Sequence, residues 1–117
     1  PLIQHPARDH SVVQELFERG EIAEEDIRHH PHKHLVTSCL VGNLDRKAPN
    51  VFTCEVPAHK GDRFFVCSDG VWESIDGAEL SEIIAWHQIE EAATILAKKV
   101  MEYGARDNVT FIMAEIV

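Results

Sequence analysis

The stretch Lys60–Glu73 constrains the fold of this chain more than any other. It runs Lys-Gly-Asp-Arg-Phe-Phe-Val-Cys-Ser-Asp-Gly-Val-Trp-Glu. Gly61-Asp62 is a turn signal, Phe64–Cys67 is an unbroken apolar run, and Ser68-Asp69-Gly70 stops it. A short apolar run between turn signals predicts a strand buried on both faces. Val71-Trp72 then begins a helical pattern. A carboxylate at the end of such a strand is rigidly held, and the glycine behind it lets the backbone turn sharply or approach a ligand closely. Asp69 equally suits the plainer task of capping a helix that starts near Trp72. On the residues alone both roles stand.

The length, 117 residues, suits one domain of ordinary size, and 44% apolar with 26% charged residues suits a folded one. The formal net charge of −9 argues against nucleic acid and against an anionic membrane surface, both of which attract basic faces. It is compatible with divalent cations. Cys39, Cys54 and Cys67 are far apart, form no CxxC pair and each lie in an apolar run. That pattern predicts reduced, buried thiols and a cytoplasmic protein. No apolar run approaches the ~20 residues that cross a bilayer, and no signal-peptide pattern opens the chain. The start at Pro1-Leu2-Ile3, without Met, leads us to expect a piece of a longer protein.

In order along the chain, Leu2-Ile3 is expected to end a strand. Val12, Val13, Leu16 and Phe17 share a helical face, with Ser11 or Asp9 as cap and Gly20 as terminator. Glu21–Asp26, with only Ile22 and Ile27 as large apolar residues around it, predicts a mostly solvated two-turn helix held by few contacts. His29, His30, His32 and His34 invite a metal-site reading. However, Pro31 prevents i, i+4 pairing across it, and no nearby cysteine or carboxylate completes a set, so a polar loop is the expectation. Leu35–Val41 and Asn50–Pro57 have strand patterns, separated by a polar turn at 43–50 containing Pro49-Asn50. With the strand at 64–67 they predict consecutive antiparallel strands over 35–67. A helix starting at Asp76 or Gly77 carries Leu80, Ile83 and Ile84. A longer one from Glu90 to Tyr103 carries a core stripe of Ala92, Ala93, Leu96, Val100 and Tyr103, with Gly104 at its C-terminus. Ala105–Asn108 is a polar turn, and Val109–Val117 a strand.

In the first strand an aspartate follows the apolar run; in the last, Asp107 precedes it. If these strands are antiparallel neighbours, Asp69 and Asp107 lie at the same end of the sheet and share one ligand. Two such carboxylates repel unless a proton or a cation lies between them. A hard ion such as Mg2+ or Mn2+ fits oxygen ligands, and a pair of such ions favours in-line phosphoryl displacement. Acid/base work by a carboxylate pair on a sugar is the alternative by residue type; it needs a sugar cleft, and the sequence has few aromatics to line one.

Gly61–Glu73 and Asp107-Asn108-Val109-Thr110 resemble the motifs of PP2C-type (PPM) metal-dependent protein serine/threonine phosphatases. The stretch from Asp9 through Gly20-Glu21-Ile22 to His30-Pro31 resembles the bacterial subgroup, where it leads into and forms a flap beside the active site. The resemblance covers nearly the whole chain in the family's order. It implies an α+β fold, part of a four-layer αββα sandwich of antiparallel sheets. Residues 1–117 would be the C-terminal part of a single phosphatase domain, with 20–34 as the flap segment and the N-terminal half absent. It implies a binuclear Mn2+ or Mg2+ site, to which bacterial members would add a third ion sharing Asp69. Asp69 and Asp107 would be metal ligands, with Asn108 and Gly70 supporting the site. Metal-activated water would hydrolyse phosphoserine or phosphothreonine in protein substrates of a cognate kinase, a signalling role.

The resemblance also shows gaps. The family's other bridging aspartate, backbone glycine ligand, phosphate-gripping arginine and general-acid histidine belong to motifs not found in this sequence, so no catalytic residue is assigned here and His10 and His32 are given no such role. Glu73 stands where aspartate is common, and Ala105 where serine is common. The expectation is that this piece holds half an active site and is inactive alone, exposing sheet edges and half a core. Two other functions remain at this point: a non-catalytic PPM-derived binding or regulatory module, and a histidine-rich metal binder.

Overall fold

The computed structural model describes residues 4–40, 42, 51–105 and 107–117. In chain order the elements are α1 (Val12–Glu18), a 3₁₀ helix (Glu24–His29), β1 (Arg63–Cys67), α2 (Asp69–Ser74), α3 (Gly77–Trp86), α4 (Ile89–Glu102) and β2 (Phe111–Glu115). They fall into two units, Val56–Val117 and Gln4–Glu55.

In the Val56–Val117 unit, β1 and β2 pair antiparallel with Arg63 opposite Glu115 and Cys67 opposite Phe111. Side chains alternate across a strand, so one face of the pair carries Phe65, Cys67, Phe111 and Met113. That face packs on a core of Val71, Ile75, Leu80, Ile83, Ala92, Leu96 and Val100 contributed by α2, α3, α4 and the residue after α2. The i, i+4, i+8 spacing of Ala92, Leu96 and Val100 puts them on one side of α4, and all three are buried. Asp76 caps α3, its carboxylate accepting from the Ala78 N–H at 2.8 Å. Beyond α4, Gly104 has φ +99°, and the N–H groups of Gly104 and Ala105 donate to the Met101 and Val100 carbonyls. This left-handed termination satisfies the last carbonyls of the helix.

The other face of the strand pair is open. Val66 is 68% exposed and Ile112 69%, which corrects the expectation that the Phe64–Cys67 run is buried on both faces. The reason is that the helices of this unit cover a single side of a two-stranded sheet. At the end of the pair remote from Cys67, the Arg63 guanidinium donates to Glu115 at 2.7 Å and to the carbonyls of Ile84 and His87 at 2.5 Å each. One side chain thus ties both strands to the C-terminal end of α3.

In the Gln4–Glu55 unit, α1 forms as its caps dictate. Ser11 Oγ accepts from the Gln14 N–H at 3.2 Å. Gly20, at φ +73°, ends the helix, with Gly20 and Glu21 N–H groups donating to Phe17 and Leu16. The solvated helix expected around Glu21–Asp26 is a 3₁₀ helix over Glu24–His29 with no buried residue. The strands expected over 35–41 and 50–57 are not formed among the described residues. Val36 makes a single bridge to Ser11, flanked by Val12 N–H to Leu35 and Thr37 N–H to His10 hydrogen bonds. Strand propensity is realised only against a neighbouring strand, and here Leu40 and Val51 stand 88% and 74% exposed. Cys39 and Cys54, expected buried, are exposed; Cys67 is half-buried. The strand end at Leu2-Ile3, Val41, and the turn at 43–50 with Pro49-Asn50 lie outside the described residues. The structure is α+β, with helices beside an antiparallel sheet.

Candidate metal centre

The antiparallel register places the aspartates. Asp69 follows the last paired residue of β1, Cys67, and Asp107 precedes its partner Phe111, so both leave the strand pair at the same end. The juxtaposition anticipated from the sequence is therefore present, and it is tied by hydrogen bonds rather than left to strand direction. The Ser68 N–H donates to the Thr110 carbonyl at 2.8 Å, and Ser68 Oγ donates to the Asn108 carbonyl at 3.1 Å. The Thr110 N–H returns a bond to Ser68 Oγ at 3.0 Å.

Gly70 explains how the two segments come so close. A Cβ on Gly70 would lie 2.4 Å from the Asn108 carbonyl oxygen, far inside van der Waals contact. Only a residue without Cβ lets the Asp107-Asn108 backbone lie against the turn that carries Asp69. Gly70 and Asn108, the two supporting residues named from the family motifs, thus meet each other directly, Asn108 through its backbone.

Asp69 is the first residue of α2, which begins earlier than the start near Trp72 expected from the sequence. Ser68, in extended conformation, is its N-cap, and the Val71 N–H donates to the Ser68 carbonyl. Asp69 Oδ1 accepts from the Gly70 N–H at 2.9 Å, and a carboxylate in the first turn complements the helix dipole. Asp107 Oδ1 accepts from the Asn108 N–H at 2.7 Å. Each aspartate therefore has one oxygen steadied by a backbone N–H, and both residues are exposed. Burial pushes the nearby Cys67 thiol above its ordinary pKa, and the Asp69 charge adds to the shift. The capping position weighed for Asp69 is thus held by Ser68, and Asp69 is the first residue inside the helix, with its Oδ1 on the N–H of its neighbour Gly70.

Paired hard oxygen donors at a solvent-facing strand end fit Mg2+ or Mn2+. Among the described residues no three His, Cys, Asp or Glu side chains come together to hold a metal, so these residues offer two carboxylates at one sheet end and not a full ligand set. In the histidine stretch, His30 Nδ1 accepts from the His32 N–H at 3.1 Å, which engages one ring nitrogen in a local turn. Ser68 escaped the sequence reading. Its signal was slight: a hydroxyl directly before the aspartate, at a place where a serine is expected to cap its own helix.

No protein-family profile matches the chain. Individual proteins do. The serine/threonine phosphatase Stp of Listeria innocua is 35% identical over 108 residues, 92% of this chain and 42% of that protein. The crystal structure of the serine/threonine phosphatase Stp1 from Staphylococcus aureus superposes with a TM-score of 0.81 at 27% identity, covering 99% of this chain and 45% of the other. The catalytic domain of the phosphatase PstP in complex with two manganese ions superposes with a TM-score of 0.67 at 27% identity, covering 95% and 44%. The chain spans less than half the length of these proteins.

Proposed function

We propose that this chain, similar over nearly all of its own length to serine/threonine phosphatases, is the C-terminal part of a PP2C-type (PPM) phosphatase domain. Its role is metal-dependent hydrolysis of phosphoserine and phosphothreonine in proteins. The observation that carries this reading is the meeting of the Asp69 turn and the Asp107 loop across Gly70 and Asn108.

In this reading Asp69 and Asp107 are the ligands that this chain contributes to a binuclear Mn2+ or Mg2+ site. The two manganese ions of the PstP structure support that choice. When bound, such ions supply an activated water and neutralise charge on the phosphoryl group. Asp69 and Asp107 would hold the ions together with ligands outside this chain. Both aspartates are exposed, which suits a bulky protein substrate. The remaining ligands, the phosphate-gripping arginine and the general acid are assigned to sequence outside this chain. Residues 20–34 are the flap, a role that suits a 3₁₀ helix without a buried residue. The substrates are phosphoproteins of a cognate kinase, and the place of action is the cytoplasm. No described helix is long and apolar enough to cross a membrane.

The test is Mn2+-dependent hydrolysis of a phosphothreonine peptide by the protein that carries this chain. Asp69→Asn and Asp107→Asn are each expected to lower kcat/KM by on the order of a hundredfold or more, the scale of lost electrostatic stabilisation at a reacting centre. Full activity in Asp69→Asn would sink the proposal. Failure of the unaltered protein to hydrolyse the peptide with either metal would instead favour a non-catalytic binding module.

A further inference from the structure

Serine at a helix N-cap ordinarily turns its hydroxyl onto the helix, accepting from the N–H of the second or third residue. Ser11 does so at α1, accepting from Gln14. Ser68 is the N-cap of α2, yet its side chain makes no capping bond. Its hydroxyl is directed instead at the segment leading into β2, donating to the Asn108 carbonyl at 3.1 Å and accepting from the Thr110 N–H at 3.0 Å. With its own N–H on the Thr110 carbonyl at 2.8 Å, Ser68 makes three hydrogen bonds to a segment some forty residues away. The residues on either side of this bridge are informative. Asp69 follows Ser68, and Asp107 precedes Asn108.

We propose that Ser68 is a positioning residue whose hydroxyl sets the spacing of Asp69 and Asp107 and so tunes metal affinity, a role that rests on the metal reading of these aspartates above. The Gly70–Asn108 contact limits how closely the two segments approach, and the Ser68 hydroxyl limits how far they part. Asn108 and Thr110 are exposed. Water can therefore replace the hydroxyl in satisfying their backbone groups, and its removal costs the fold little. Water does not restore the distance. A partner that orients metal ligands in this way is worth about 10–100-fold in metal affinity.

The experiment is calorimetric titration of Mn2+ into the metal-stripped protein that carries this chain, with the melting temperature of the metal-free protein recorded beside it. Ser68→Ala is expected to weaken Mn2+ binding about tenfold with the metal-free melting temperature nearly unchanged. Ser68→Thr, which keeps the hydroxyl, is expected to bind as the unaltered protein does. If Ser68→Ala does not fold, Ser68→Val against Ser68→Thr makes the same comparison between side chains of equal shape. Unchanged affinity in Ser68→Ala, or equal weakening in the Thr and Val variants, overturns the positioning role while the metal site stands. If Asp69→Asn binds Mn2+ as tightly as the unaltered protein, the metal reading itself fails and takes this role with it.

Discussion

The unit Val56–Val117 holds 32 apolar residues and the unit Gln4–Glu55 holds 18, and the two use them differently. The first buries Val71, Ile75, Leu80, Ile83, Ala92, Leu96 and Val100 together. In the second, Val13 alone is buried among the described residues, while Leu35, Val36, Leu40 and Val51 are exposed. The difference lies in geometry as well as in apolar content. Helical side chains at i, i+4 meet the next helix within a few turns of chain, so α3 and α4 close on each other locally. Strand-type segments bury a face only when another strand and another layer arrive, and, among the described residues, 35–40 pair with another segment through the Ser11–Val36 bridge and the hydrogen bonds flanking it.

The largest expected effect tests that contrast directly. Leu96→Ala should lower the unfolding free energy by about 2–5 kcal/mol in urea titrations, because it opens a cavity in a closed core. Leu40→Ala should stay within about 0.5 kcal/mol, as surface changes do. Equal losses would break the comparison. Next come two glycines that are constrained for different reasons. Gly70→Ala meets the Asn108 carbonyl and should cost about 1–3 kcal/mol through overpacking. Gly20→Ala has open space but φ +73°, and should cost about 1 kcal/mol through backbone strain. Structures of the two variants would sharpen the point, with a displaced Asn108 in the first and unmoved neighbours in the second.

Ser11→Ala should weaken α1 by about 1 kcal/mol, detectable as faster amide exchange at Gln14. The smallest effects are electrostatic. A two-pronged contact from Arg8 holds Glu18 down to about 2 in the Gln4–Glu55 unit. In the other unit, the hydrogen bond from Lys99 lowers Glu79, and Tyr103 contributes. For a carboxylate held below its unfolded value, the stabilisation is complete above that value and disappears as pH falls through the folded one. The Arg8–Glu18 pair is exposed and the Lys99–Glu79 pair is still partly open to solvent, so each contribution is small. Glu18→Gln should flatten the acid response of the α1 amides between about pH 4.5 and 2, and leave α4 untouched. Glu79→Gln should do the reverse. Their responses are followed by amide chemical shifts, and a crossed response would couple what the contacts separate.

What the sequence disclosed follows the same division. Caps and terminators are local chemistry, so Ser11, Asp76, Gly20 and Gly104 mark α1, α3 and α4 correctly. Antiparallel pairing of the two apolar runs was enough to bring Asp69 and Asp107 to one end. The sequence misled where an outcome depends on a second body. Phe64–Cys67 looked doubly buried because apolar residues occupy both faces, yet only one face has helices against it. Residues 35–41 and 50–57 have strand composition, but composition does not supply a hydrogen-bonding partner. The hydroxyl of Ser68 was hidden for a third reason. Its partners lie about forty positions away, and the local rule for serine before a helix pointed elsewhere.

The pairing of Cys67 with Phe111 has a kinetic consequence. The chain between them contains all of α2, α3 and α4, so the strand ends cannot meet at the rate of a hairpin with a short turn. Closing a long loop has an entropic cost that must be met before its contacts stabilise anything, and contacts of high sequence separation form slowly. Docking of the three helices shortens the effective loop and makes closure feasible. The aspartate pair therefore comes into existence late, after the helical core has condensed. An ion that required both carboxylates at once would meet them only on chains in which these two strands have already paired, so the rate of its uptake is expected to follow the rate of that pairing.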